Sequence, residues 1–155
     1  MCEGWTRAEA LREMEALVER YGWAIQHVWP DAVHSRWAYT VGLTRYGLPE
    51  LVVTGMEQEA AHELLNDTAH GGACHDDRTV PGQRYSLDDG RRIEVVELSH
   101  PDVHLGTAVA LHPGRVVRAH QLVWADDCGR WPWSRRFCGP QGAQPVLGPR
   151  AVRGA

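Results

Sequence analysis

The 155-residue chain has no lysine: all 16 of its basic residues are arginine. No side-chain amine is therefore available for Schiff-base or lysine-nucleophile chemistry, and a GC-rich genome is enough to account for the bias. Nowhere do about 18 apolar residues run together, so there is no candidate membrane-spanning helix. The start Met1-Cys2-Glu3-Gly4-Trp5-Thr6 carries no basic-then-apolar signal region, and the cytoplasm is the expected location. The four cysteines, at 2, 74, 128 and 138, form no Cys-x-x-Cys pair. A zinc knuckle is disfavoured, and the thiols are expected to stay reduced. Net positive charge is missing as well. A formal charge of −4 disfavours nucleic acid or an anionic membrane as partner. There is no internal repeat and no Gly-rich phosphate loop, because Gly71-Gly72 follows a helical pattern instead of preceding one.

What is present reads as one soluble domain, with 43% apolar and 23% charged residues and enough length for a core without staples. Thr6 and Glu9 form a capping box. Leu11, Met14, Leu17, Val18 and Tyr21 recur at helical spacing up to Gly22, which predicts an amphipathic first helix covering one face of a sheet. Residues 23–29 and 36–43 alternate, the first aligning Trp23, Ile25, His27 and Trp29, the second Trp37, Tyr39, Val41 and Leu43. They are expected to pair as antiparallel strands. The run Leu51-Val52-Val53-Thr54 predicts a third, more buried strand.

Met56, Ala60, Ala61, Leu64, Leu65 and Thr68 mark a second helix that Gly71-Gly72 should close. The polar, turn-rich residues 73–83 are the expected mobile loop. Strands over 84–87 and 91–98 flank Asp88-Asp89-Gly90, a hairpin signal. Ser99-His100-Pro101-Asp102 opens a third helix ended by Pro113-Gly114, and 116–124 is the last strand. The order αβββαββαβ describes a single α+β domain over residues 1–140, with a mainly antiparallel sheet of about five to six strands and about three helices. The Gly, Pro and Gln-rich residues 141–155 should form a poorly ordered tail.

Three blocks carry a resemblance. The first is Gly22-Trp23 with Ala38-Tyr39-Thr40-Val41-Gly42-Leu43 and Pro49-Glu50-Leu51. The second is Leu64-Leu65-Asn66. The third runs from Gln121 through Trp124, Asp126, Cys128, Gly129 and Trp131 to Trp133, with an echo in Gln144-Pro145-Val146-Leu147-Gly148. Together they resemble an uncharacterised bacterial family, domain of unknown function 4262, over most of the chain. The resemblance implies a small bacterial α+β protein and supplies candidate positions, but implies no reaction.

The stretch from His120 to Trp133 holds three of the seven tryptophans, two aspartates, a histidine and a cysteine. In one reading Trp124, Trp131 and Trp133 wall a small-molecule pocket into which Asp126 and His120 point. In the other, Asp126 caps its own turn and Trp133 packs on the core after Pro132. Gly42, inside a strand, marks either the close approach of a ligand or a helix packed tightly over it. Glu50 is a candidate acid in the same cleft or a solvated strand start. The candidate ligand-binding set is Tyr39, Thr40, Gly42, Glu50, Asn66, Gln121, Trp124, Trp131 and Trp133, with His120 and Asp126 as candidate catalytic acid and base. Cys128 is excluded as a thiolate because two neighbouring aspartates raise its pKa. His100 and His104, at i and i+4, are the weak metal candidates, without a recognised zinc spacing around them.

The absence of strong catalytic spacing makes a binding or interaction module, of an accessory or immunity type without chemistry of its own, the first expectation. The alternative is an enzyme in which Tyr39, Asn66, His120 and Asp126 surround one pocket with perturbed pKa values. A histidine-based metal-binding protein is the third reading. A small molecule or a protein is the expected partner; no cofactor and no oligomeric state is specified.

Overall fold

A computed structural model describes residues 6–138 and 144–151. Helix α1 (Arg7–Tyr21) opens on the expected capping box: the Glu9 amide donates to Thr6 Oγ1 at 3.1 Å and the Thr6 amide to Glu9 Oε2 at 2.8 Å. Gly22 ends it at φ 96°, its amide donating to the Val18 carbonyl. Strands β1 (Ala24–Val28), β2 (Trp37–Val41) and β3 (Glu50–Thr54) follow, with a short 3-10 turn over Leu43–Tyr46. Helix α2 (Gln58–His75) leads to the hairpin β4 (Arg84–Ser86) and β5 (Arg92–Glu97). Two short helices, α3 (Pro101–His104) and α4 (Gly106–Leu111), precede β6 (Ala119–Trp124).

The six strands form one sheet in the order β1-β2-β3-β6-β5-β4. The pairing is antiparallel except at β3–β6, which run parallel from Glu50↔Ala119 to Val52↔Gln121. The chain is a single α+β domain with a mixed sheet. Alternation along each strand divides the core into two layers. On one face Ala38, Leu51, Val53, Ile93, Val95, Leu122 and Trp124 meet Leu64, Leu65 and Ala69 of α2. On the other, Tyr39, Val41, Val52 and Ala119 meet Val18 of α1, Leu105 and Ala108. Each fully buried leucine, such as Leu65, Leu105 or Leu122, contributes roughly 1.5–3 kcal/mol through removal from water.

Four expectations are corrected. α2 does not stop at Gly71-Gly72. It runs to His75, where Asp76 takes the left-handed conformation at φ 55° and the Asp77 amide closes back on the Gly71 carbonyl at 3.0 Å. The third helix breaks in two, because Leu105 turns fully into the core and leaves helical geometry (φ −118°, ψ 52°). The Trp37 indole then donates to the His104 carbonyl at 3.0 Å. The α1 stripe is only partly buried: Val18 is 3% exposed, Leu17 39% and Tyr21 62%.

The fourth correction concerns the expected tail, of which 144–151 are described and docked; 141–143 and 152–155 lie outside the described residues. β3 leaves β6 at Val52↔Gln121, so the β6 backbone beyond needs new partners. The Gln144 side chain supplies them, accepting from the Trp124 amide at 2.9 Å and donating to its carbonyl at 2.8 Å. Gln121, itself fully buried, does the reverse. It accepts from the Leu147 amide at 2.7 Å and donates to the Pro145 carbonyl at 2.7 Å and Thr54 Oγ1 at 3.0 Å.

Candidate functional site

The expected pocket between Tyr39 and the tryptophans does not form, and each of its members has a partner within the chain. Tyr39 lies on the α1/α4 face, where its hydroxyl accepts from the Thr107 amide at 3.1 Å. Asn66 lies on α2 and accepts from the Trp23 indole at 2.9 Å. Glu50 is fully buried rather than solvated. It accepts from Thr40 Oγ1, the Leu43 and Thr44 amides and Thr44 Oγ1, at 2.5–3.1 Å, and so holds the 3-10 turn to β3. Thr40 Oγ1 also accepts from the Leu51 amide at 2.9 Å. Gly42 serves the helix end. At φ 118°, an added Cβ would stand 2.8 Å from Val18 Cγ1 and 3.1 Å from the Gly22 carbonyl, leaving no room for a side chain or a ligand.

Asp126 caps its turn. Its Oδ1 accepts from the Cys128 and Arg130 amides at 3.0 and 2.8 Å, and its Oδ2 from Arg130 Nε at 3.1 Å and the Cys138 amide at 2.9 Å. Burial acts to raise this carboxyl's pKa, but the donors from Arg130, Cys138 and Cys128 outweigh it and hold the group below its ordinary value. An acid so held is a poor proton donor or acceptor near neutral pH. Trp124 packs in the α2-side core against Phe137 and donates its indole N–H to the Thr54 carbonyl at 2.9 Å.

Trp131 and Trp133 stack on each other instead, with centroids 5.3 Å apart and planes 10° from parallel. Arg84 and Arg92 lie over Trp131, and Arg150 over Trp133 at 3.7 Å. Arg84 and Arg150 also clamp Glu94, which is 1% exposed, at 2.7 and 2.8 Å. Burial pushes the Glu94 carboxyl up, yet the Arg150 and Arg84 bonds prevail and lower it.

The histidine pair fares no better as a metal centre. His100 precedes α3 in non-helical conformation (φ −136°) and His104 ends that four-residue helix, so no common helical face unites them. Among the described residues no group of three or more His, Cys, Asp or Glu side chains is placed to hold a metal ion.

A more spacious concave site lies elsewhere among the described residues. α2 covers the β1–β3 half of the sheet, and beyond it residues 77–83 and the β4–β5 hairpin rise to enclose a cleft of about 570 Å³. The α2 wall is built from Ala60, Glu63, Leu64, Asp67, Thr68 and Gly71, a helical stripe whose spacing normally marks a buried face. Asp77, Asp88 and Asp89 add carboxylates from the opposite wall, and Arg78 and Arg91 add cations. The arginines are partly engaged, Arg78 with Asp76 at 3.2 Å and Arg91 with Met56 Sδ at 3.6 Å. Glu63, Asp67 and Asp88, by contrast, have no hydrogen bond or ion pair within the described residues.

Residues 79–83 are not the loose loop expected from their composition. The Gly82 amide donates to the Val95 carbonyl at 2.8 Å, and the Val95 amide to the Gln83 carbonyl at 2.9 Å. Thr79 Oγ1 lies 2.7 Å from Nδ1 of His120, which is 5% exposed on β6. Burial lowers the His120 pKa; Glu97 opposes this and Arg118 adds to it. Tyr85 forms part of the wall. Its hydroxyl is buried beside Thr68 without a partner at hydrogen-bonding geometry among the described residues, and burial raises its pKa.

With the sheet, the α2 cleft and the 126–138 turn in view, the chain can be set against known families. The family model for "Domain of unknown function (DUF4262)" matches residues 17–138. The chain belongs to that family. The match takes in both walls of the cleft, whereas most of α1 and the docked 144–151 segment lie outside it. No curated protein and no solved structure matches the chain. Among the described residues no helix is long and apolar enough to cross a membrane.

Sequence reasoning missed the cleft because Glu63 and Asp67 read as the solvated side of a helix. Their spacing from Ala60, Leu64 and Thr68 was the available signal.

Proposed function

We propose that this member of the DUF4262 family is a cytoplasmic binding module of the accessory type, and that the cleft between α2 and the β4–β5 hairpin receives a small cationic molecule. The observation that carries the reading is the contrast in hydrogen-bond use. The acids singled out in the sequence, Glu50 as a ligand-binding and Asp126 as a catalytic candidate, are fully engaged inside the chain, while Glu63, Asp67 and Asp88 face a cleft of about 570 Å³ without partners among the described residues. That volume falls in the range typical of small-molecule sites. Carboxylates outnumber arginines in the lining, and charges of one sign in a concave wall focus a field that draws the opposite charge. The cytoplasm suits the exposed thiols of Cys74, Cys128 and Cys138, which a reducing compartment keeps free.

The test is an amide-resolved NMR titration with spermidine as the cationic probe and citrate as the anionic one. Spermidine should shift the amides of Glu63, Asp67, Tyr85 and Asp88, saturably and more strongly at low salt, and citrate should leave them in place. Shifts spread evenly over the acidic surface of α1 and α2 would overturn the reading, as would equal binding of citrate.

A further inference from the structure

We infer that Thr79 is an activated hydroxyl in the wall of this cleft, with His120 as its base, and that the pair acts on carboxylic esters that carry a cationic group. The inference rests on the cleft reading for the cationic part of the substrate, and on separate geometry for the chemistry. A hydroxyl becomes a nucleophile when a base within hydrogen-bond reach takes its proton and a third group steadies the base. Thr79 Oγ1 lies 2.7 Å from His120 Nδ1. Glu97 is paired with His120 across β5 and β6, so both side chains leave the sheet on the same face, and its carboxylate acts on the imidazole.

The placement is fixed from both sides. His120 is held in β6 between β3 and β5. Thr79 belongs to a segment tied to the sheet by bonds between Gly82 and Val95 and between Val95 and Gln83, and the Val80 amide donates to Gln83 Oε1 at 3.0 Å. Thr79 is half-buried and lines the cleft, while His120 stands behind it. The base therefore reaches the cleft through the hydroxyl, which is the order a nucleophile and its base require. Burial also favours the neutral imidazole, the form that accepts a proton.

The step balances without a co-reactant other than water. Thr79 Oγ attacks the ester carbonyl carbon, its proton passing to His120 Nδ1. The carbon–oxygen bond to the alcohol breaks, and the departing alkoxide takes that proton. Water then attacks the acyl carbon while His120 receives its proton, the Oγ–acyl bond breaks, and Thr79 recovers the proton as the carboxylic acid leaves. The mechanism requires the resting proton on Nε2, so that Nδ1 accepts from the hydroxyl.

A fluorophosphonate tests the first step on the full chain. Oγ bonds to phosphorus, fluoride leaves with its electron pair, and the proton goes to His120. Peptide mapping should find the adduct at Thr79, formed on the order of a hundredfold faster than at any other hydroxyl of the chain. Thr79→Ser should keep the reaction and Thr79→Val, which preserves the shape, should abolish it. His120→Asn should abolish it too, with far-UV circular dichroism establishing that this variant folds. The ¹⁵N shifts of the His120 ring read the tautomer independently of any reaction. Labelling no faster than in urea-unfolded protein, or a proton found on Nδ1, would overturn the inference. Because spermidine binding is measured separately, loss of labelling with intact binding removes the chemistry alone, and loss of binding with intact labelling removes only the cationic preference.

Discussion

Two regions of this molecule differ in the opposite sense from their compositions. The stretch from His120 to Trp133 concentrates tryptophan, aspartate and histidine, yet the side chains of His120, Gln121, Trp124 and Asp126 are all engaged by the chain. Asp126 accepts four hydrogen bonds, Gln121 makes three, and the two stacked indoles are covered by arginines. The flank of α2 and the facing hairpin look like ordinary solvated surface, and there Glu63, Asp67 and Asp88 line a cleft with no hydrogen bond or ion pair among the described residues. A side chain can recognise a ligand only with groups that folding has left unused. Richness in functional residue types therefore located the keystone of the fold, and the proposed site lies on a plainer surface.

The comparison breaks most visibly at Gln121. Gln121→Leu keeps the volume but strands the Leu147 amide and leaves the Pro145 carbonyl with Thr54 Oγ1 as its one remaining donor among the described residues. It should destabilise the protein by about 1–3 kcal/mol in urea denaturation, the cost of one stranded buried group. Trypsin should also cut after Arg150 faster in the variant, because the 144–151 segment loses its anchor. An unchanged cleavage rate would mean that Gln144 and Arg150 hold the segment unaided. Arg150→Ala should have a smaller effect. It removes the Glu94 bonds at 2.8 and 3.0 Å and the contact over Trp133, but the arginine side chain is 37% exposed and solvent screens it. About 1 kcal/mol, shrinking with added salt, is expected from the midpoint of denaturation.

Local rules carried the local features. Thr6 and Glu9 announced a capping box, Asp88-Asp89-Gly90 a hairpin, and the alternation from Trp37 to Val41 a strand, because each depends on neighbours a few residues away. What was not legible depends on distant partners. The parallel β3–β6 pairing joins segments separated by the whole α2–α4 excursion. Gln121 finds Thr54 67 positions away and Trp124 finds it 70 away, so no window of sequence distinguishes a ligand-reading glutamine from a tail-binding one. Gly71-Gly72 failed as a stop because α2 is packed on the sheet through Leu64, Leu65 and Ala69, and tertiary burial outweighs glycine's roughly 1 kcal/mol preference against helix. His120 has other companions than its sequence neighbourhood suggests: it meets Thr79 from the supposed loop, not Asp126 from its own turn.

Acid should separate the buried histidines from the clamped carboxylates by pH. Burial lowers the folded-state pKa of His27, His104 and His120, so the unfolded chain takes up protons first as the pH drops. Stability should then fall as pH passes below the ordinary histidine value of about 6.5 and continue to fall until the lowered values are reached. Asp126 and Glu94 also have lowered values, but as carboxylates. Their contribution is complete above about pH 4 and disappears only as pH falls through their folded-state values. Urea midpoints measured from pH 8 to 3 should show two declines, and His120→Asn should weaken the upper one while Arg150→Ala weakens the lower. A single decline below pH 4 would contradict the placement of the histidines.

The smallest expected change in stability makes the sharpest test of the comparison. Asp67→Asn combined with Asp88→Asn alters side chains that nothing in the described fold holds, so the unfolding free energy should move by no more than about 0.5 kcal/mol. The same substitutions should weaken spermidine binding by on the order of tenfold, about the loss of one good charge-assisted contact of 1.4 kcal/mol. Glu13→Gln with Glu19→Gln on the exposed side of α1 removes the same two charges away from the cleft, and there binding should change by less than about twofold. If both double variants weaken binding equally, the protein attracts cations through net charge and the cleft loses its distinction. If Asp67 and Asp88 instead prove important for stability, those carboxylates are engaged like Asp126, and the contrast between the two regions fails at its central point.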